Sequence, residues 1–176
     1  PPFSIYLPCV LNNYCAQAVP SPFSVQIAGL SQFVAPAGMS LAAADSIRQQ
    51  QLDAYNAAFS PMMTKLQESG AGWARIYIDW ASIQSSDPLQ YNWANYDNWL
   101  SQVAATGVQI IATVSNPPNW AIDTTLNPCS NAILTDKLPA FNQFLSTLAT
   151  RYSQFPYNIH VWEILNEPDT LDGYRC

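Results

Sequence analysis

Apolar and polar positions change period six times along the chain, and each change predicts a new element. Phe23-Ser-Val-Gln-Ile-Ala-Gly29 alternates and then meets glycine, which predicts a first strand. Leu52, Tyr55, Phe59, Met62 or Met63 and Leu66 then recur at three and four, a helical stripe with Asp45 as its cap. Ser60-Pro61 reads as a new cap followed by proline at the first helical position, so this helix is expected to break and restart there before Gly70 and Gly72 stop it. Methionines at this spacing read as core. Trp73-Ala-Arg-Ile-Tyr-Ile-Asp-Trp80, β-branched and aromatic, predicts a second strand with Arg75, Tyr77 and Asp79 on one face.

A second helix is expected from the stripe Tyr96, Trp99, Leu100, Val103 and Ala104, ended by Gly107. Val108 to Val114 is apolar on both faces, as a parallel strand requires. Thr135-Asp136 caps a third helix with the stripe Leu138, Phe141, Leu145, Leu148 and Tyr152. An apolar run from Ile159, stopped by Pro168, predicts the fourth strand. The order β-α-β-α-β-α-β predicts an α/β fold with a parallel sheet and right-handed crossovers. Residues 1–22 hold five prolines and no helical period; they read as a surface arm or linker, leaving residues 23–176 as the domain.

Composition narrows the partners. A length of 176 residues suits about one domain, and 49% hydrophobic residues suffice for a core. With 10% charged residues, net charge −6 and one histidine, the chain offers no basic face for nucleic acid and no polybasic patch for an anionic membrane. No stretch approaches the ~20 apolar residues that span a bilayer. The chain does not begin with Met, so a processed protein or a piece of a longer one is expected. Six Trp and nine Tyr could supply faces for sugar rings, although packing accounts for most of them. Cys9, Cys15, Cys129 and Cys176 lack zinc-site spacing, and one His argues against a catalytic metal; no metal or cofactor is expected. An even cysteine count with few Lys and many small polar residues fits a secreted, extracellular protein. The favoured disulfides are Cys9 with Cys15 and Cys129 with Cys176, the latter joining neighbouring loops after strands three and four; buried free thiols are the alternative.

The candidate chemistry lies in Trp162-Glu-Ile-Leu-Asn-Glu-Pro168. Strict alternation would put Val161, Glu163, Leu165 and Glu167 on one face and His160, Trp162, Ile164 and Asn166 on the other. One carboxylate would then sit at the strand's carboxyl end, where parallel α/β folds bind ligands. A lone strand Glu would read as an ion-paired structural residue. The whole unit, however, resembles the fourth-strand motif of clan A glycoside hydrolases, the (β/α)8 enzymes that include families five and thirty-nine.

That resemblance covers roughly residues 23–170 and implies a TIM (β/α)8-barrel type of fold, with about four βα units present. It implies Glu167 as general acid/base, Asn166 as a contact to the sugar hydroxyl beside the anomeric carbon, and an oligo- or polysaccharide substrate. The loop from Leu30 to Leu41 would lie over the catalytic face. Gly70-x-x-Trp73-x-Arg75-Ile76 resembles the clan's second strand, where an Arg helps hold the catalytic carboxylates. Arg75 would pair with Glu163 or with the nucleophile; a purely structural Arg–Glu pair is the competing reading. Trp80, at the end of that run, is grouped with the substrate-binding residues. Ser115-Asn116-Pro-Pro-Asn-Trp120-Ala121 looks like the sugar-contacting loop after strand three, with Asn116 as a contact and Trp120 either stacking on a pyranose or packing beneath the loop.

The departure from the clan lies in the nucleophile, a Glu ending strand seven. The only other glutamates here are Glu68 and Glu163. Glu163 stands about 13 Å from Glu167 along a strand, against about 5–5.5 Å for a retaining pair. A full barrel takes eight strands and about 250 residues. The expectation is the N-terminal half of a secreted retaining hydrolase acting on a β-linked saccharide, inactive alone, and either self-associating or completed by the other half-barrel. A non-catalytic carbohydrate-binding partial barrel is the alternative, and a disulfide-braced structural domain a third.

Overall fold

The computed structural model describes residues 21, 23–27, 40–85, 88–122 and 132–166. Its four strands are β1 (Ser24–Ile27), β2 (Trp73–Asp79), β3 (Gln109–Ser115) and β4 (Val161–Ile164). They form one sheet in chain order, and every neighbouring pair is parallel. Between them lie α1 (Leu41–Glu68), a single turn α2 (Trp80–Ile83), α3 (Ala94–Ala105) and α4 (Leu138–Tyr152). The expected alternation of strands and helices is therefore present, with α2 as an unexpected addition.

Parallel neighbours require crossover connections. When strands follow in order without reversal, right-handed crossovers place each helix on the same face. The packing agrees. Ala74, Ile76 and Ile78 of β2 and Ile110, Ala112 and Val114 of β3 are buried in one cluster with side chains of α1, α3 and α4. Each such aliphatic side chain taken from water contributes roughly 1.5–3 kcal/mol. The intervening residues of β2, Trp73, Arg75, Tyr77 and Asp79, point to the other face and are only partly buried. One face of the sheet is thus apolar and helix-covered; the other carries the partly buried Arg75, Tyr77, Asp79 and Glu163 around a buried Thr113.

Helix α1 corrects two expectations. Its N-cap is Ser40, whose hydroxyl accepts from the Ala43 N–H at 3.3 Å, not Asp45. It also runs unbroken through Pro61. An interior proline removes one hydrogen bond and costs ~3 kcal/mol. Against that, Phe59, Met63 and Leu66 lie on both sides of Pro61 and are buried in the same core. Breaking the helix would pull one half of this stripe away. Gly70, at φ +68°, makes the left-handed turn that ends the helix region.

Helix α3 packs on α1 through Trp99, which donates its indole N–H to Asn56 Oδ1 at 2.7 Å and meets the Tyr55 ring edge-on at 4.9 Å. Burial pushes the Tyr55 hydroxyl up to about 12. Gly107 follows α3 at φ +84°, as expected of its stop. Helix α4 shifts the expected stripe: Phe141, Phe144, Leu148 and Tyr152 are buried, whereas Leu138 is 43% exposed. Phe144 was absent from the expected stripe, yet it stacks on Trp80 at 5.3 Å. Asp97 of α3 ties α4 in place, accepting from Arg151 Nε at 2.9 Å and from the Tyr152 hydroxyl at 3.0 Å.

Trp80 requires a correction as a substrate-binding residue. Alternation along β2 carries it to the side opposite Arg75, and it is completely buried against Phe141 and Phe144. Its indole N–H donates to Gln84 Oε1 at 2.6 Å. It is a core residue.

Candidate functional site

Parallel strands bring their carboxyl ends to one end of the sheet, so the residues after β2, β3 and β4 gather there. The register sets the rungs: Tyr77 pairs with Thr113 and Thr113 with Glu163, while Arg75 lies one same-face rung lower, beside Gln26 and Ile111. From β2, Arg75 must reach across β3 to touch β4, a distance of about two strand spacings, ~9.6 Å. The small Thr113 between them leaves room.

Arg75 makes four hydrogen bonds and one further ion-pair contact. Nε donates to Glu163 Oε2 at 2.8 Å, and Nη2 lies 2.7 Å from the same oxygen. Nη2 also donates to Asn166 Oδ1 at 2.8 Å. Nη1 donates to the Tyr77 hydroxyl at 2.8 Å and to Gln26 Oε1 at 3.2 Å. The Tyr77 hydroxyl donates in turn to Asn166 Oδ1 at 3.1 Å, and Thr113 Oγ1 donates to Glu163 Oε2 at 2.8 Å. The guanidinium also rests 4.8 Å from the Tyr77 ring centroid. Of the two partners expected for Arg75, Glu163 is the one it binds.

The charges follow from this geometry. Hydrogen bonds from Arg75, joined by the one from Thr113, hold the Glu163 carboxyl below the ordinary carboxylate range against a smaller opposing effect of burial. The same bond, led by Glu163, raises Arg75 above its already high value. Glu163 is consequently ionised near neutrality and has no proton to give. It can accept hydrogen bonds and balance positive charge, but it cannot act as a general acid.

Asn166 occupies a different place from the one strict alternation assigns. Strand pairing stops at Ile164, and Leu165 takes φ +64°, a left-handed conformation rare for a residue with a branched side chain. Its N–H still donates to the Val114 carbonyl at 2.9 Å. The turn swings Asn166 onto the Arg75 face, beside Glu163 rather than opposite it. Local backbone of this kind, costing of order 1–3 kcal/mol, persists only where surrounding contacts impose it.

The loop after β3 is anchored to the segment after β2. Asn116 takes φ +52°, which asparagine tolerates better than most residues, and its carbonyl accepts from the Ala81 N–H at 2.9 Å. This bond ties the loop after β3 to the start of α2. Trp120 donates its indole N–H to the Gln84 carbonyl at 2.9 Å and meets Trp80 edge-on at 5.4 Å. Of its two expected roles, packing beneath the loop is the one its contacts describe. Tyr77 and Thr113 were not singled out as site residues by the sequence. Their signal was a polar side chain within an apolar strand, in register with one another.

Glu167 lies outside the described residues, as do the four cysteines with both expected disulfides, the arm at 1–20 and the loop at 28–39. Among the described residues no cluster of His, Cys, Asp or Glu could hold a metal ion, and no helix is long and apolar enough to cross a membrane. Compared with known proteins, the chain matches no family model and no curated protein sequence.

Proposed function

We propose that the chain is a partial (β/α)8 barrel of clan A glycoside hydrolase type, secreted and acting on a β-linked oligo- or polysaccharide. Glu167 is its general acid/base and Asn166 its contact to the sugar. The observation that carries this is Arg75, which joins Glu163 and Asn166 on one face of a parallel sheet, one residue before Glu167. The supporting topology is the strand order without reversal and the helices on one face, the arrangement a closed barrel needs on its outside.

The division of labour follows from charge. Glu163 is fixed and ionised beside Arg75, so the proton for the departing sugar oxygen comes from Glu167. The second carboxylate of a retaining pair would come from a later strand, and β1 and β4, the outer strands here, would be joined by the rest of the barrel or by another copy.

A binding role without turnover is the second reading. Of the described acids on that face, Glu163 is bound to Arg75, and Asp79 caps α2 by accepting from the Ser82 N–H at 3.1 Å. Both carboxylates thus serve contacts within the fold, which is what favours binding without turnover. The deciding test is hydrolysis of 4-nitrophenyl β-glycosides by the protein expressed from its whole reading frame. Turnover that falls about a thousandfold in Glu167→Gln supports the hydrolase; turnover indifferent to that change removes it.

A further inference from the structure

The Arg75 network has a polarity that no choice of rotamer can reverse. A guanidinium donates and never accepts. The Asn166 atom 2.8 Å from Arg75 Nη2 is therefore the amide oxygen, and a second donor, Tyr77 Oη, lies 3.1 Å from it. Both lone pairs of Oδ1 are used. The amide orientation, often ambiguous for asparagine, is fixed here by the chemistry of its neighbours, and Nδ2 points away from Arg75 with two protons to give.

Glu163 shows the complementary pattern. Oε2 accepts from Arg75 Nε and Thr113 Oγ1 and lies in ion-pair contact with Arg75 Nη2. Its other oxygen, Oε1, has no partner among the described residues, and neither does Asn166 Nδ2. The two atoms are not sealed in. Among the described residues no buried side-chain nitrogen or oxygen lacks a partner, so both reach solvent, and the Glu163 side chain is 40% exposed.

We propose that Glu163 Oε1 and Asn166 Nδ2 form a hydroxyl-binding subsite of paired polarity, with the carboxylate accepting from one ligand hydroxyl and the amide donating to a neighbouring one. Both residues are held one hydrogen bond from the same guanidinium, which brings the acceptor and the donor into one patch. Tyr77 acts as a positioning residue: it fixes the amide without touching the ligand. The ligand class, a saccharide, rests on the carbohydrate reading proposed for this site; the pairing of acceptor and donor does not. A bound hydroxyl replaces water at an ionised acceptor, and its loss leaves that acceptor unpaired, which is where discrimination between ligands arises.

Two near-isosteric changes invert the polarity while leaving an oxygen for Arg75. Glu163→Gln replaces the free acceptor with a donor, and Asn166→Asp replaces the free donor with an acceptor. Xylobiose, cellobiose and mannobiose are titrated separately into the 176-residue chain by calorimetry, followed by monodeoxy derivatives of any that binds. At least one disaccharide should bind the wild type, and deletion of one hydroxyl should weaken it about tenfold. Each variant should weaken the parent disaccharide by a similar factor and no longer distinguish it from that deoxy derivative. Thermal melts establish that the variants fold; if one does not, the deoxy series on the wild type decides alone. The proposal is overturned if no disaccharide binds the wild type, if no hydroxyl matters, or if both variants bind as the wild type does. Glycoside turnover is read separately. With turnover read on the protein expressed from its whole reading frame, binding without turnover keeps the subsite and removes the hydrolase, whereas turnover indifferent to both variants keeps the hydrolase and removes the subsite.

Discussion

Arg75 and Asn166 are 91 positions apart in the chain and 2.8 Å apart in space, guanidinium nitrogen to amide oxygen. The contact spans three strands, because β2 and β4 both pair with β3 and not with each other. It couples the middle of the sheet to the turn that follows its last strand. Asn166, in that turn, is thus held from β2.

Arg75→Lys tests that coupling. An ammonium has three donors on a flexible stem and cannot serve Glu163, Asn166, Tyr77 and Gln26 together. Allowing for solvent at the half-exposed Glu163, the substitution should lower unfolding free energy by about 1–2 kcal/mol. Urea denaturation measures it. An unchanged midpoint would mean that the network adds nothing to stability.

Acid should destabilise the fold through two carboxylates. Arg75 holds Glu163, and Arg151 holds Asp97, below the ordinary range. A folded-state value below the unfolded one gives stability that is complete at neutral pH and is lost as pH falls. The loss begins near the unfolded carboxylate range, about 4, and continues through the lower folded-state values. Asp97→Asn should flatten the pH dependence of urea midpoints between about pH 5 and 2.5. An equally steep acid limb in that variant would sink the assignment.

Phe144 and Leu138 should respond in opposite ways to truncation. Phe144 is fully buried against Trp80, so Phe144→Ala should cost about 3–5 kcal/mol. Leu138, 43% exposed, should tolerate alanine within about 0.5–1 kcal/mol. Comparable losses at both positions would argue for the stripe that helical spacing alone assigns.

Pro61→Ala asks whether α1 is one helix. In an unbroken helix the change restores a missing N–H, and the gain is reduced by the greater freedom of the unfolded chain. A net stabilisation of about 1–2 kcal/mol, read as a higher thermal midpoint, is expected. A lower midpoint would instead favour a helix that restarts at that proline.

The sequence by itself determined the order of strands and helices, because the period of hydrophobicity reports which face of each element is buried. It also determined that Arg75 and Tyr77 share a face, since extended backbone alternates without exception along β2. It pointed to Glu163 as a partner for Arg75, because a half-buried cation in a sheet needs a carboxylate. Three things were decided only in the tertiary structure. Asn166 joins Glu163 because Leu165 leaves the extended conformation, and contacts with distant Arg75 and Val114 flank that turn. Helix α1 passes through Pro61 because one core holds both of its halves. Trp80 sits under the sheet because Phe141 and Phe144, some sixty residues later, supply the aromatic pocket that buries it. Local pattern sets the direction in which a side chain leaves the backbone; what it then meets belongs to parts of the chain that the local pattern does not contain.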